Sequence, residues 1–153
     1  MRVLMVCLGN ICRSPMAEGW LSHKSNLQQL DIEVDSAGTA NYHIGSQADE
    51  RMRKYAKKAG VSIDHLRARQ FDVSDFDSFD RIFVMDKSNY KNVLALARTH
   101  ADQEKVSLYL NELYPAQDLE VPDPYYDGEQ AFNEVIALLE KATDAFIQNI
   151  LTK

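Results

Sequence analysis

Cys7 and Arg13 stand six positions apart in the segment Val6-Cys7-Leu8-Gly9-Asn10-Ile11-Cys12-Arg13-Ser14-Pro15. A thiol and a guanidinium at that spacing can together hold and attack an oxyanion. The guanidinium is a planar, permanently charged fork that can bind two oxygens of a phosphate at once. A free thiol titrates near ~8.5, and at a helix N-terminus beside a guanidinium it can fall by one to several units, leaving a nucleophilic thiolate at neutral pH. Attack by that sulfur on a bound phosphate monoester would form a cysteinyl-phosphate, with Arg13 and backbone amides stabilising the equatorial oxygens.

The flanking sequence has to put these groups in place. Arg2-Val3-Leu4-Met5-Val6 is a short apolar run suited to a buried parallel strand, and an apolar periodicity of helical type begins after Ser14-Pro15. The loop between them therefore lies at a helix N-terminus, where unpaired N–H groups and the positive end of the helix dipole favour an anion. Gly9 permits the tight path that turns successive amides inward. A bare cysteine and arginine would read as an ordinary core thiol and a solvated arginine, but Gly9, Asn10, Ser14 and Pro15 shift the reading to a phosphate loop. Its binding positions are then Leu8, Gly9, Asn10, Ile11, Cys12 and Ser14.

An alkoxide or phenolate leaving group needs a proton, which Arg13 cannot supply. The candidate acid is Asp123 in Val121-Pro122-Asp123-Pro124-Tyr125-Tyr126-Asp127-Gly128, where two prolines restrict the backbone and present the carboxyl from a stiff loop. Such an acid typically contributes about 10²- to 10⁴-fold and can later take a proton from the hydrolytic water. Asp118 and Asp127 are the alternative carboxyls. Tyr125 and Tyr126 are adjacent on a loop and cannot both face one core, so at least one ring is expected to stand exposed as an aromatic wall. Tyr42 is placed to form the opposite wall, and a phenyl ring would stack between them.

Cys7 to Ser14, Pro15-Met16-Ala17-Glu18, Asp35-Ser36-Ala37-Gly38-Thr39, Met85-Asp86-Lys87-Ser88-Asn89 and Asp123-Pro124-Tyr125-Tyr126 together resemble the low-molecular-weight protein tyrosine phosphatases over essentially the whole chain. The resemblance implies Cys7 as nucleophile, Arg13 as phosphate-binding and transition-state residue, and Asp123 as general acid, with Asn10, Ser14 and Ser36 as polar supports of the loop. It also implies an unusual backbone conformation at Asn10 and a Ser14 hydroxyl that stabilises the departing thiolate. Family members often carry a histidine shortly before an Arg-Gln pair; here His65 precedes Arg69-Gln70, the match in spacing is not established, and its role stays open. Phosphotyrosine-containing proteins are the partners this resemblance implies, together with a tyrosine kinase acting on Tyr125 or Tyr126.

Two relatives with a similar loop are the alternatives. Thiol-dependent arsenate reductases resemble it but use two further cysteines downstream, whereas this chain has only Cys7 and Cys12. Protein arginine phosphatases carry a threonine at the position of Ile11, and an apolar Ile11 favours a phenyl ring over a phosphoguanidinium. The Cys7 to Cys12 spacing permits either a reversible disulfide that shields the nucleophile or a small buried thiol behind the loop.

The wider sequence fits one small enzyme. At 153 residues, 45% hydrophobic and 26% charged, the chain is expected to form a single domain spanning 1–153 with a substantial core and no disulfide requirement. A net charge of −6 argues against nucleic acid. Neither a membrane span nor a signal-peptide pattern is present, so a cytoplasmic location is expected, which suits a free thiolate. The four histidines at 23, 43, 65 and 100 show no metal-ligand spacing, so no cofactor and no metal are expected.

Strand-like runs at 2–7, 31–36, 80–85 and 105–110 alternate with helical patterns, which predicts an α/β fold: a three-layer αβα sandwich around a four-stranded parallel sheet, with the phosphate loop after the first strand. Helices are expected after Ser14, with Met16, Ala17, Trp20, Leu21 and Leu27 on an apolar face, and at about 48–59, 87–98 and 128–151. Phe71, Phe76 and Phe79 should anchor the irregular segment before the third strand. The ligand is expected at the carboxyl end of the first strand, over which Asp123 must fold.

Overall fold

The computed structural model describes residues 1–152. Four parallel strands, β1 (Arg2–Cys7), β2 (Glu33–Gly38), β3 (Arg81–Val84) and β4 (Val106–Leu108), lie in the order β2-β1-β3-β4. The helices are α1 (Arg13–Leu27), α2 (Glu50–Lys58), α3 (Asp75–Ser78), α4 (Lys87–Leu94), α5 (His100–Glu104) and α6 (Glu129–Leu151), and a 3₁₀ turn covers Tyr109–Glu112. The predicted three-layer α/β architecture is the one found.

The side chains of β1 alternate between two cores. Val3, Met5 and Cys7 pack with Met16, Ala17, Trp20 and Leu21 of α1, Met52 of α2 and Phe132, Leu139 and Phe146 of α6. Leu4 and Val6 face the other way, onto Phe71, Phe76, Phe79, Val93 and Val106. Both faces being covered explains why β1 is apolar throughout. The Trp20 indole N–H donates to the Ile136 carbonyl at 3.0 Å, which fixes α1 against α6. The aromatic anchors Phe71, Phe76 and Phe79 are buried as expected.

Several boundaries differ from the sequence reading for identifiable reasons. β2 begins at Glu33 rather than 31 because its ladder starts opposite Arg2, where β1 starts. β4 stops at Leu108 because its only neighbour, β3, is four residues long; Tyr109 and Leu110 stay buried but turn into the 3₁₀ segment. The expected helix over 87–98 ends early, α4 stopping at Leu94; α5 lies beyond it, where an extended Thr99 caps the helix by accepting from the Asp102 N–H. α2 starts two residues late, at the point where the Asp49 carboxylate accepts from Arg51 and Met52 N–H, and it ends before Gly60 at φ 94°. Leu27, expected on the apolar face of α1, is 71% exposed at the last residue of the helix.

β1 leads to β2 on one side and borders β3 on the other, so the crevice at its carboxyl end is the topological switch point of the sheet. Among the described residues no helix is long and apolar enough to cross a membrane.

Candidate active site

The loop from Cys7 to Arg13 runs from the end of β1 into the first turn of α1. Its carbonyls are drawn outward: those of Cys7, Leu8 and Ile11 accept from the N–H groups of Thr39, Ala40 and Asp49 at 2.9, 2.9 and 2.8 Å. In a trans peptide the N–H lies opposite the carbonyl, so the amides of Leu8, Gly9 and Cys12 turn toward the loop centre. Asn10 sits at φ 57°, a left-handed conformation that asparagine tolerates better than most residues. Gly38 of β2 passes immediately behind; a Cβ there would lie 2.7 Å from the Leu8 carbonyl oxygen and 3.1 Å from the Asn10 nitrogen.

Arg13 is 3% exposed and is held from three sides. Its Nη1 donates to Asp86 Oδ2 at 2.7 Å and to the Val121 carbonyl at 3.0 Å, and its Nη2 lies 3.7 Å from Asp123 Oδ2. Burial works against the charge, but Cys7, Asp86 and Asp123 outweigh it and hold the guanidinium more firmly protonated than usual. The short bond to Asp86 is the anchor. The longer approach to Asp123, whose side chain is 41% exposed, leaves that carboxyl at the rim and available to a substrate.

The loop bearing Asp123 is pinned at both ends. The Val121 N–H donates to the Met85 carbonyl at 2.8 Å, and Arg51 of α2 donates to the Tyr125 carbonyl at 2.7 Å. Asp123 Oδ1 accepts from the Tyr125 N–H at 3.1 Å, a local turn that orients the carboxyl. This is how a residue far along the chain reaches the first strand.

A cleft opens above the loop, lined by Cys7, Leu8, Gly9, Ile11, Cys12 and Arg13 below and by Tyr42, His43, Asp123, Tyr125 and Tyr126 around the rim. Tyr126 is 93% and Tyr42 72% exposed, whereas Tyr125 packs partly on the core with the Arg51 guanidinium 5.5 Å from its ring centre. Tyr125 and Tyr126 meet edge to face, their ring centres 5.0 Å apart. The rim is therefore an aromatic collar about a basic floor. Such a collar can stack an aryl ring while the floor holds an oxyanion.

Asn10, Ser14 and Ser36 do not line this cleft. They lie buried beneath it, where Ser14 Oγ is 3.0 Å from Cys7 Sγ and Asn10 Nδ2 donates to both Ser14 and Ser36. Cys12 is a buried free thiol whose burial, and then Asp49 and Cys7, push its pKa above the usual thiol value. It is thus disfavoured as a second thiolate. His65 is exposed and stands apart from the cleft, beside Glu18 and His23.

Sequence reasoning missed three members of the site. Asp86 reads as an ordinary helix cap, since its Oδ1 accepts from the Asn89 N–H, but its other oxygen anchors Arg13. His43 fills the rim between Tyr42 and Tyr125, with ring centres 6.3 and 6.5 Å away. Glu18 is buried against Ser36. Asp86 and Glu18 each stood in a motif of the resemblance, Met85-Asp86 and Ala17-Glu18, but neither motif assigned them a role.

The comparisons with known proteins agree with this geometry. Residues 2–153 match the family described as low molecular weight phosphotyrosine protein phosphatase. The chain belongs to that family. A low molecular weight protein-tyrosine-phosphatase of Streptomyces coelicolor is 40% identical, over 95% of this chain and 91% of its own. A crystal structure of a protein tyrosine phosphatase from Entamoeba histolytica is 41% identical with a TM-score of 0.92, covering 99% of this chain and 97% of that one. A structure described as a Drosophila arginine phosphatase is 34% identical with a TM-score of 0.90, covering 98% of each chain. As a member of this phosphatase family, the chain is an enzyme.

Proposed function

We propose that the chain hydrolyses phosphotyrosine in proteins, and small aryl phosphates, through a cysteinyl-phosphate on Cys7. The observation that carries this reading is one cleft in which Cys7 and Arg13 form the floor, Asp123 stands at the rim and Tyr125 and Tyr126 wall the entrance. The phosphate oxygens bind the inward amides and Arg13. Cys7 sulfur attacks phosphorus, the P–O bond to the phenol breaks, and Asp123 protonates the departing oxygen. Water then attacks the cysteinyl-phosphate while Asp123 accepts its proton. The P–S bond breaks, and the electron pair returns to sulfur, to which the Ser14 hydroxyl can donate at 3.0 Å.

The Drosophila neighbour raises phosphoarginine as the competing substrate, but Ile11 presents an apolar side chain to the cleft, where a guanidinium would leave polar N–H groups unpaired. Arsenate reduction is disfavoured by the absence of any cysteine besides Cys7 and Cys12. Of the two rim tyrosines, Tyr126 is the more accessible to a tyrosine kinase.

The test is a matched set of phosphotyrosine, phosphoserine and phosphoarginine peptides turned over by the native chain and by Cys7→Ser. The reading expects phosphotyrosine to be the preferred substrate and Cys7→Ser to bind the peptide without hydrolysing it. Full activity in Cys7→Ser would refute the mechanism, and preference for phosphoarginine would refute the substrate.

A further inference from the structure

Beneath the cleft, a buried chain of hydrogen bonds links Glu18 through Ser36, Asn10 and Ser14 to Cys7. Asn10 Oδ1 accepts the Arg69 backbone N–H at 3.0 Å, which fixes the orientation of the amide. Both protons on Nδ2 are then spent, one on Ser14 Oγ at 2.8 Å and one on Ser36 Oγ at 2.9 Å. Each serine accepts from Asn10 and has a single proton to give elsewhere. Ser14 can give its proton to Cys7 Sγ at 3.0 Å, the Ala37 carbonyl being a longer alternative at 3.4 Å, and Ser36 gives its proton to Glu18 Oε1 at 2.6 Å. The chain therefore has an acceptor at each end, the nucleophilic sulfur and a buried carboxylate.

We propose that Glu18 is a positioning residue for Cys7: by accepting the Ser36 proton its carboxylate holds Asn10 and, through it, the Ser14 hydroxyl directed at the sulfur. The inference rests on Cys7 being the nucleophile. Protonated Glu18 is a donor as well as an acceptor, so it can compete for the Ser36 oxygen that Asn10 uses and loosen the chain at its far end. Glu18 also borders a separate cleft with Ser22, His23 and His65, through which a proton can exchange with solvent away from the substrate. The charged and titratable groups around it are Asp35 of β2, Arg69, and those two histidines; Arg69 is itself held by Asp35 and Asp75 at 3.0 Å each. Burial raises the Glu18 carboxyl to about 7, Ser36 and Arg69 opposing and Asp35 adding to the rise. The residue thus changes charge near neutrality.

The experiment compares kcat and KM for an aryl phosphate across the neutral range in the native chain, Glu18→Gln and Ser36→Ala. Native kcat is expected to rise as Glu18 ionises near pH 7. Both variants should lose that inflection and show kcat lower by about 5- to 10-fold above it, the worth of one hydrogen bond at the sulfur, with KM changed by less than about 2-fold. Ser36→Ala leaves the buried carboxyl in place, so it keeps the test decisive if Glu18→Gln folds poorly. A native-like pH profile of kcat in either variant would overturn the proposal. That outcome would leave the nucleophile untouched, because both variants would still depend on Cys7, whereas an active Cys7→Ser would remove the premise itself.

Discussion

Replacing Gly38 by alanine tests whether the phosphate loop is positioned by the strand behind it. The added Cβ would stand 2.7 Å from the Leu8 carbonyl oxygen, 3.1 Å from the Asn10 nitrogen and 3.1 Å from the Gly9 carbonyl carbon, against an ordinary contact of 3.4 Å or more. All three neighbours are backbone, so relief comes only from moving the loop, by about 0.7 Å at the closest contact, which is 3.4 less 2.7. Overpacking of this kind costs about 1–3 kcal/mol. For a chain of this length that lowers Tm by about 2–4 °C per kcal/mol, leaving the protein folded near room temperature. The catalytic effect is expected to be larger, because the displaced atoms belong to the peptide groups that point amides at the anion. A misplacement approaching 1 Å can cost up to about 10²-fold in rate. The assay pairs a thermal melt with kcat/KM on an aryl phosphate, and the expected result is a moderate loss of Tm with a fall of about 10- to 100-fold in kcat/KM. Native kcat/KM in a folded Gly38→Ala protein would refute the claim that this strand fixes the loop.

Two further outcomes follow from the same geometry. Asp123→Ala should lower kcat by about 10²- to 10⁴-fold on substrates with poor leaving groups and by much less where the leaving phenolate needs no proton; undiminished turnover of poor leaving groups would move the acid to Asp118 or Asp127. Glu18→Gln should also change stability, with a sign fixed by the raised carboxyl. Below about pH 4.5 Glu18 is protonated whether folded or unfolded; from 4.5 to about 7 only the folded state keeps the proton, so the native chain loses stability as pH rises, by about 3 kcal/mol in all. Glutamine carries no such penalty, so the Tm of the variant relative to the native chain should climb through that window and level off above it. A difference independent of pH would contradict the placement of this charge.

The loop and the placement of Asp123 at its rim were legible in the sequence because their signals are local. Cys7, Gly9, Arg13 and Pro15 lie within one strand-to-helix turn, and the prolines around Asp123 announce a stiff loop. The strand and helix assignments held where apolar runs were long, as in β1 and α6. They slipped where a neighbour decides the boundary: β4 is cut short by the length of β3, and β2 starts two residues late because its ladder begins opposite Arg2. The roles of Asp86 and Glu18 were not legible because nothing local marks them: Asp86 caps α4, and Glu18 lies within α1. Their partners, Arg13 and Ser36, lie 73 and 18 positions away. His43 gave no signal at all, since nothing local distinguishes a rim histidine from any other loop histidine.

The central claim is that phosphoryl transfer passes through sulfur, and the most direct measurement is rapid quenching of the enzyme during turnover of a phosphorus-labelled aryl phosphate, followed by peptide mapping. The predicted result is one phosphoryl group on the peptide carrying Cys7, labile in mild acid as an S–P bond is, appearing in a burst with release of the phenol and absent from Cys7→Ser. Turnover with no labelled protein, or with the label on any residue other than Cys7, would contradict it.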